Sequence, residues 1–351
     1  MQTQFLIIGQ GICGTWLSYY FQKEKKSFLV IDNNQQNSAS RVAAGIINPV
    51  TGRRIVKTWM IDELLSFLVP SYKEFGDELG ISAIEKRSLI DFHPTPQMKL
   101  AFDDRLKENA DFLSQPVNQN KYNRIFNYDF GFSEVDPCYI INLSKIISLW
   151  KSKLISTGRF IEEDFTSSQL IHSASGVSYK DIDAEKIIFC DGINSAENPF
   201  FKNLPFSLNK GEAIILESTG IPSDHIFKKG LMLTAIDRNV FWIGSNYQWE
   251  FRDDKPSEHF RQQTATLLRN WLKVPFTIID HRASIRPANI ERRPFVGLHP
   301  AYKNMGILNG MGTKGCSLAP FFARQLVDHL LYKKDILREA DIIRFSKILA
   351  R

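Results

Sequence analysis

At 351 residues with 43% hydrophobic content, the chain is long enough for two domains and apolar enough for a sizeable core, which excludes a disordered or low-complexity protein. Its formal charge of +6 is mildly basic and fits anionic ligands, RNA or a solvated lysine-rich surface equally well. Four cysteines, Cys13, Cys138, Cys190 and Cys316, include no C-x-x-C pair, and no apolar run reaches the length of a membrane span, so no metal, disulfide or membrane partner is expected. Reduced thiols, and an N-terminal apolar run with no basic leader, make the cytoplasm the expected compartment.

The most informative stretch is residues 5–32. An apolar strand, Phe5-Leu6-Ile7-Ile8, runs into Gly9-x-Gly11-x-x-Gly14; a helical run follows, and a second strand, Phe28-Leu29-Val30-Ile31, ends on Asp32. This is the dinucleotide-binding βαβ fingerprint in its required context. Gly9 permits the tight turn, Gly11 lets the backbone approach a pyrophosphate, and Gly14 lets helix and strand pack closely. The helix N-terminus offers amides to phosphate, and Asp32 can accept from a ribose.

A polar turn is predicted over 33–40. Small residues then gather in Arg41-Val42-Ala43-Ala44-Gly45, either to let the backbone lie against a flat ligand or as a plain tight loop. Arg53 and Arg54, with Lys57 nearby, are candidates for a phosphate or a substrate carboxylate. Apolar spacing at Leu64, Leu65, Leu68, Tyr72 and Phe75 predicts a helix over 61–79, interrupted or kinked near Pro70. Short strands and turns follow, with a helix over 100–113. Asp136-Pro137 reads as a boundary, and 140–155 reads as a helix. A meander of strands at 169–172 and 177–179 leads to Lys186-Ile187-Ile188-Phe189, predicted to be a further parallel strand of the nucleotide-binding sheet. It ends at Cys190-Asp191-Gly192, where Asp191 either faces the ligand or is a turn aspartate.

Residues 205–285 read as a separate sheet, with a strand over 211–217, a hairpin of 230–235 and 240–244, and a helix over 258–272. Beyond it stand Ser284-Ile285-Arg286-Pro287, Arg293-Pro294-Phe295-Val296-Gly297, a short strand over 305–308, and Gly310-Met311-Gly312-Thr313-Lys314-Gly315-Cys316, which opens onto a helix over about 318–331. That glycine loop is either an ordinary turn before a helix or a second anion-binding helix terminus. In the second case it suits the pyrimidine edge of a flavin, which becomes anionic on reduction and which backbone amides and Lys314 would stabilise.

The fingerprint, the Ser-Arg-Val-Ala-Ala-Gly stretch at 40–45, residues 284–297 and residues 310–320 occur in the same order in the D-amino-acid oxidase-like flavoproteins, and most of this chain resembles that family. The last two motifs are most similar to the oxidase half of the bifunctional enzyme that trims carboxymethylaminomethyl groups on tRNA wobble uridine. The resemblance implies an α/β fold. A Rossmann-like FAD-binding domain is assembled from discontinuous segments (1–80, 140–205 and 285–351). The inserted α+β substrate domain (81–139 and 206–284) carries a mostly antiparallel sheet. It implies that Gly9, Gly11, Ile12, Cys13, Gly14, Asp32, Asn33, Arg41, Ala43, Ala44, Gly45, Cys190, Asp191 and Gly192 line FAD. Phe165 would lie near the adenine, and Gly312, Thr313, Lys314 and Gly315 would face the flavin ring. Arg286 would clamp a substrate carboxylate, a task suited to a planar guanidinium, and present the substrate for hydride transfer to flavin N5.

The chain departs from the family pattern in three places. Amino-acid oxidases of this kind often carry a tyrosine on the strand over the flavin; here that strand reads Leu231-Met232-Leu233, and Tyr247 or Trp249 is the candidate substitute. The strand before Cys190-Asp191-Gly192 usually ends in a smaller residue. No cysteine falls within 284–297, so the FAD is expected to be noncovalent. The expected reaction is oxidation of the C–N bond of a carboxylate-bearing amine or amino acid, with Arg286 and Lys314 as the catalytic pair and oxygen or another acceptor taking the electrons. The competing readings are a tRNA-modifying oxidase, an NAD-dependent dehydrogenase and a flavin-binding protein without turnover.

Overall fold

Apolar residues at every position from Phe5 to Ile8 suit a strand buried on both faces, and Gln2–Ile8 is that strand. It pairs in parallel with Phe28–Asp32 on one side and Ile182–Phe189 on the other. The computed structural model describes residues 1–52, 55–108 and 111–350, so Arg53 and Arg54 lie outside the described residues. Phe160–Glu162 extends the parallel sheet beyond Phe28–Asp32, and Met305–Asn309 extends it beyond Ile182–Phe189. Antiparallel strands, among them Phe295–Leu298, finish its edges. Phe5 and Ile7 pack under the helices Ile12–Lys23, Ile61–Leu79, Leu143–Ser156 and Gly315–Tyr332, while Leu6 and Ile8 pack into a second core on the opposite face. The helices are locked by rings: Trp16 meets Tyr72 and Phe75 edge-on, and Tyr19 stacks on Phe75 at 4.2 Å.

The second sheet has nine strands and is antiparallel except where His225–Lys229 meets Ile84–Phe92. One face buries Phe92, Phe126, Phe227 and Ile243 against the helix Glu258–Trp271. The other presents Ala213, Ile215 and Trp242 toward Ala44. Its strands come from 46–47, 84–141 and 209–286, so the chain crosses between the two sheets repeatedly.

Several sequence expectations change. Asp136-Pro137 is not a boundary: it lies inside the strand Phe132–Ile141. The ladder to Ile84–Phe92 slips between Arg87 and Leu89, opposite the proline, so the missing N–H falls where pairing is already interrupted. Ile140 and Ile141 therefore end a strand, and the helix begins only after Asn142. The helix placed over 100–113 runs Pro96–Glu108, with the Thr95 hydroxyl accepting from Met98 N at 3.3 Å; Leu113 belongs to a short strand. The polar turn after Asp32 tightens into a helical turn, Ala39–Val42. Pro70 does not interrupt Ile61–Leu79. It stands on the exposed face, where water can satisfy the Ser66 carbonyl that loses its donor.

Candidate functional site

The two large sheets meet around a cavity of about 1190 Å³. At one end stands the first glycine turn. Gly9 has φ +98°, and a Cβ there would lie 2.5 Å from the Cys190 carbonyl oxygen. A Cβ on Gly14 would lie 1.8 Å from the Gly9 carbonyl oxygen, so strand, turn and helix close up only with glycine at both positions. Asp32 ties this turn to the end of its strand: Oδ2 accepts from Gln10 N and Oδ1 from Asn34 N, each at 2.7 Å. Ile12 N donates to Ser40 Oγ at 3.0 Å, whereas the amides of Gly11 and Cys13 donate to no acceptor among the described residues.

The C-terminal glycine loop forms another wall of the same cavity. Gly310 and Gly312 have φ +74° and +54°, and a Cβ on Gly315 would touch Ile12 Cγ2 at 3.3 Å. Two helix N-termini from opposite ends of the chain therefore converge on one space. The C-terminal helix starts at Gly315 rather than near 318, with Lys314 as its N-cap. Burial holds the Lys314 ammonium below its ordinary pKa, only partly offset by the neighbouring Cys138 thiol. That ammonium lines the cavity with no hydrogen-bond or ion-pair partner among the described residues.

Arg41, Ala43, Ala44, Gly45, Asn33, Phe165, Cys190, Asp191, Gly192 and Thr313 all line the cavity. The small residues at 43–45 have a packing reason as well: a Cβ on Gly45 would lie 2.1 Å from the Ile141 carbonyl oxygen. Asn33 Nδ2 donates to Asp164 Oδ1 at 2.6 Å, and Phe165 packs on Tyr179 with ring centroids 4.7 Å apart. Asp191 accepts from the Ser195 hydroxyl, and burial pushes its carboxyl up to about 7.

On the side of the second sheet, Arg286 ends the strand Thr277–Arg286. Its guanidinium lies flat on Gly211, where a Cβ would sit 1.5 Å from Nη2. It donates to Asn209 Oδ1 at 2.6 Å, Ser245 Oγ at 2.7 Å and Asn246 O at 3.3 Å. All three acceptors are uncharged, burial lowers the guanidinium pKa, and no carboxylate pairs with Arg286 among the described residues. The Tyr247 ring lies 5.1 Å from the guanidinium. Lys228, on the same wall, is neutralised by Asp91 at 2.6 Å.

Sequence reasoning missed Asn209, Gly211 and Ser245, which hold Arg286, and Ser40, which meets Ile12. Three of these are small or polar residues at strand ends and carry no motif; only the pairing of Asn209–Glu217 with Thr277–Arg286 brings Asn209 opposite Arg286. It also missed Arg293, whose guanidinium stacks 4.1 Å from the Trp59 ring at the cavity wall.

The family model described as DAO, FAD dependent oxidoreductase, matches residues 146–329. Among solved structures, iminodiacetate oxidase from Chelativorans sp. BNC1 is similar with a TM-score of 0.78 and 18% identity over 98% of this chain and 98% of that one. Glycine oxidase from Geobacillus kaustophilus gives 0.79 and 17% over 98% of each chain. L-Proline dehydrogenase from P. horikoshii gives 0.78 and 14%, covering 99% of this chain and 98% of that one. At these identities the likeness is one of fold.

Proposed function

The chain belongs to the FAD-dependent oxidoreductase family of the D-amino-acid oxidase type, and on that premise we propose that it oxidises the C–N bond of a small amine carrying a carboxylate. FAD rather than NAD is therefore the nucleotide, and the residues present fit it: the cavity holds two glycine turns at helix N-termini, and at the first the amides of Gly11 and Cys13 have no acceptor among the described residues. Gly9, Gly11, Ile12, Cys13 and Gly14 would hold the pyrophosphate, and Asp32 and Asn33 the ribose. Arg41, Ala43, Ala44, Gly45, Phe165, Cys190, Asp191 and Gly192 would line the rest. Gly312, Thr313, Lys314 and Gly315 would face the ring. Bound there, the flavin supplies a two-electron acceptor for a hydride from the substrate α-carbon, with oxygen or another acceptor reoxidising it.

The observation that carries the substrate reading is Arg286. A guanidinium at a cavity wall, held by three uncharged acceptors, keeps its full charge for a ligand. Its surroundings fix its plane, so a carboxylate is oriented as well as bound. The amine binds as the free base, having released its ammonium proton to solvent, so no general base is assigned. Loss of the hydride leaves a C=N bond, which water hydrolyses to a carbonyl compound and an amine. Lys314 would place positive charge where the accepting ring gains electrons.

The test is a panel of N-alkyl glycines and amino acids scored by anaerobic bleaching of the flavin. Arg286→Ala should keep the yellow colour and lose about tenfold to hundredfold in kcat/KM, the value of charge-assisted hydrogen bonds to a carboxylate. A variant that turns over as well as the wild type would overturn the clamp. A tRNA-borne amine is the second reading. It draws on the +6 charge and on two aromatic rings standing exposed at the cavity rim. Filter binding of tRNA at two salt concentrations tests it, with salt-sensitive retention expected if phosphates are contacted.

A further inference from the structure

Between the strand Val240–Gly244 and the helix Glu258–Trp271, residues 245–257 form neither strand nor helix. Both ends of this segment are fixed to the strand Asn209–Glu217. Asn246 Oδ1 accepts from Glu212 N at 2.7 Å. The fully buried Glu212 carboxylate accepts from Ser257 N at 2.6 Å and from the Ser257 hydroxyl at 2.7 Å. Between these ends, Gln248 exchanges both backbone hydrogen bonds with Lys210, each at 2.9 Å, and the Lys210 ammonium donates to Asp253 at 3.4 Å. The segment is thus moored at several points to one sheet.

Asp254 makes a different connection. Asp253 is tied back to Lys210, but the carboxylate of the next residue accepts from Asn37 Nδ2. Among the described residues this is the one hydrogen bond from 245–257 to the segment 33–40. Asn37 and Asp254 both line the cavity, so the bond joins two of its walls. In sequence Asn37 stands between Asn33, proposed for the ribose, and 41–45, proposed for the remainder of FAD. Ser40, three residues on, already accepts from Ile12 N in the glycine turn.

The segment carries little apolar cover. Tyr247 is 61% exposed and Trp249 56%, and Glu250, Arg252, Asp253 and Lys255 are exposed as well. Few buried contacts, with a single hydrogen bond on the far side, describe a segment that opens locally at low cost.

We propose that residues 245–257 are a strap across the FAD pocket, latched by Asp254 on Asn37, whose opening limits exchange of the cofactor. The latch is made between protein groups alone, so it obstructs entry and exit alike. Its removal raises both rates by one factor and leaves the equilibrium constant where it was. A side chain that held FAD directly would behave otherwise, because its loss raises release and Kd together. The strap's role is independent of which amine is oxidised.

The test uses FAD-loaded protein. Release is followed after dilution as flavin passing a protein-retaining filter with time, and Kd is measured by equilibrium dialysis. Asp254→Ala should speed release about tenfold to hundredfold, the worth of one hydrogen bond to a charged group, with Kd within about twofold of wild type. Asn37→Ala breaks the same bond from its other side and should match that rate, and the double variant should release FAD no faster than either single one. Hydrogen exchange at 249–256 should quicken in both single variants and stay unchanged in the strand Asn209–Glu217. Release at the wild-type rate in both single variants would overturn the strap. So would an additive double variant, or faster release with a matching rise in Kd, which would make these side chains ligands of FAD.

Discussion

Asp191 follows the strand Ile182–Phe189 directly, and its carboxyl is drawn into the protein between the glycine turn and Ser195. Burial raises its pKa from 3.8 to about 7, so the folded state binds this proton more tightly than the unfolded chain does. The sign follows: stability is greatest below pH 4, falls as pH rises from about 4 to about 7, and levels off above. The upper bound on that fall is on the order of 4 kcal/mol. Asp191→Asn keeps an acceptor for the Ser195 hydroxyl and removes the charge. Urea midpoints of the FAD-loaded proteins between pH 5 and 8 should fall for the wild type and stay flatter for the variant; parallel profiles would show that Asp191 ionises freely. Gly14 makes a second prediction at this scale. With only 1.8 Å between a Cβ and the Gly9 carbonyl oxygen, Gly14→Ala must push helix from strand. We expect about 1–3 kcal/mol of destabilisation and a protein purified with substoichiometric flavin, read from its absorbance ratio.

The C-terminal helix Gly315–Tyr332 contains Pro320, whose missing N–H leaves the Cys316 carbonyl without its helical donor. The Tyr72 hydroxyl, from the helix Ile61–Leu79, donates to that carbonyl at 2.9 Å in a buried position. One helix therefore completes the hydrogen bonding of another at the turn that carries the glycine loop. Tyr72→Phe should cost about 1–3 kcal/mol, because it orphans a buried carbonyl. In the double mutant with Pro320→Ala the backbone supplies its own donor, and part of that loss should return; a strictly additive cycle in denaturant melts would refute the link. The same proline shows why part of this fold was legible and part was not. The βαβ unit was readable because its glycines, apolar strands and terminal acid are all local. The start of the C-terminal helix was not, because a proline inside its second turn is tolerated only through a tyrosine distant in sequence. Pro137 misled in the same way: a slip in the partner strand, invisible in its own neighbours, accommodates it. The site divides similarly, since Arg286 stands in a motif while Asn209 and Ser245 are found only through strand pairing.

At the scale of the molecule, the cavity is built by segments that share little with one another in sequence: 9–13, 41–45, 190–192, 284–289 and 310–316. The first strand and the C-terminal helix bring the two glycine turns together, and Trp242 Nε1 donates to Val42 O at 3.0 Å to fasten the second sheet over them. A ligand that contacts all of these walls is a cross-link between the two sheets, and its binding free energy becomes stability of the folded state. FAD at a hundredfold excess over its Kd should add about 2.7 kcal/mol, seen as an upward shift of several degrees in the melting temperature of flavin-stripped protein. In the placement proposed above, the pyrophosphate would meet one helix terminus and the flavin ring the other, so FMN or ADP alone, at the same concentration, should each give much less of that shift. Hydrogen exchange gives the spatial counterpart. On removal of FAD, protection should fall together at 9–13 and 310–316, while the helix Leu143–Ser156, anchored by its own buried Trp150 and Leu154, keeps its own. Loosening confined to only one glycine turn would mean that the two helix tips do not hold a common ligand.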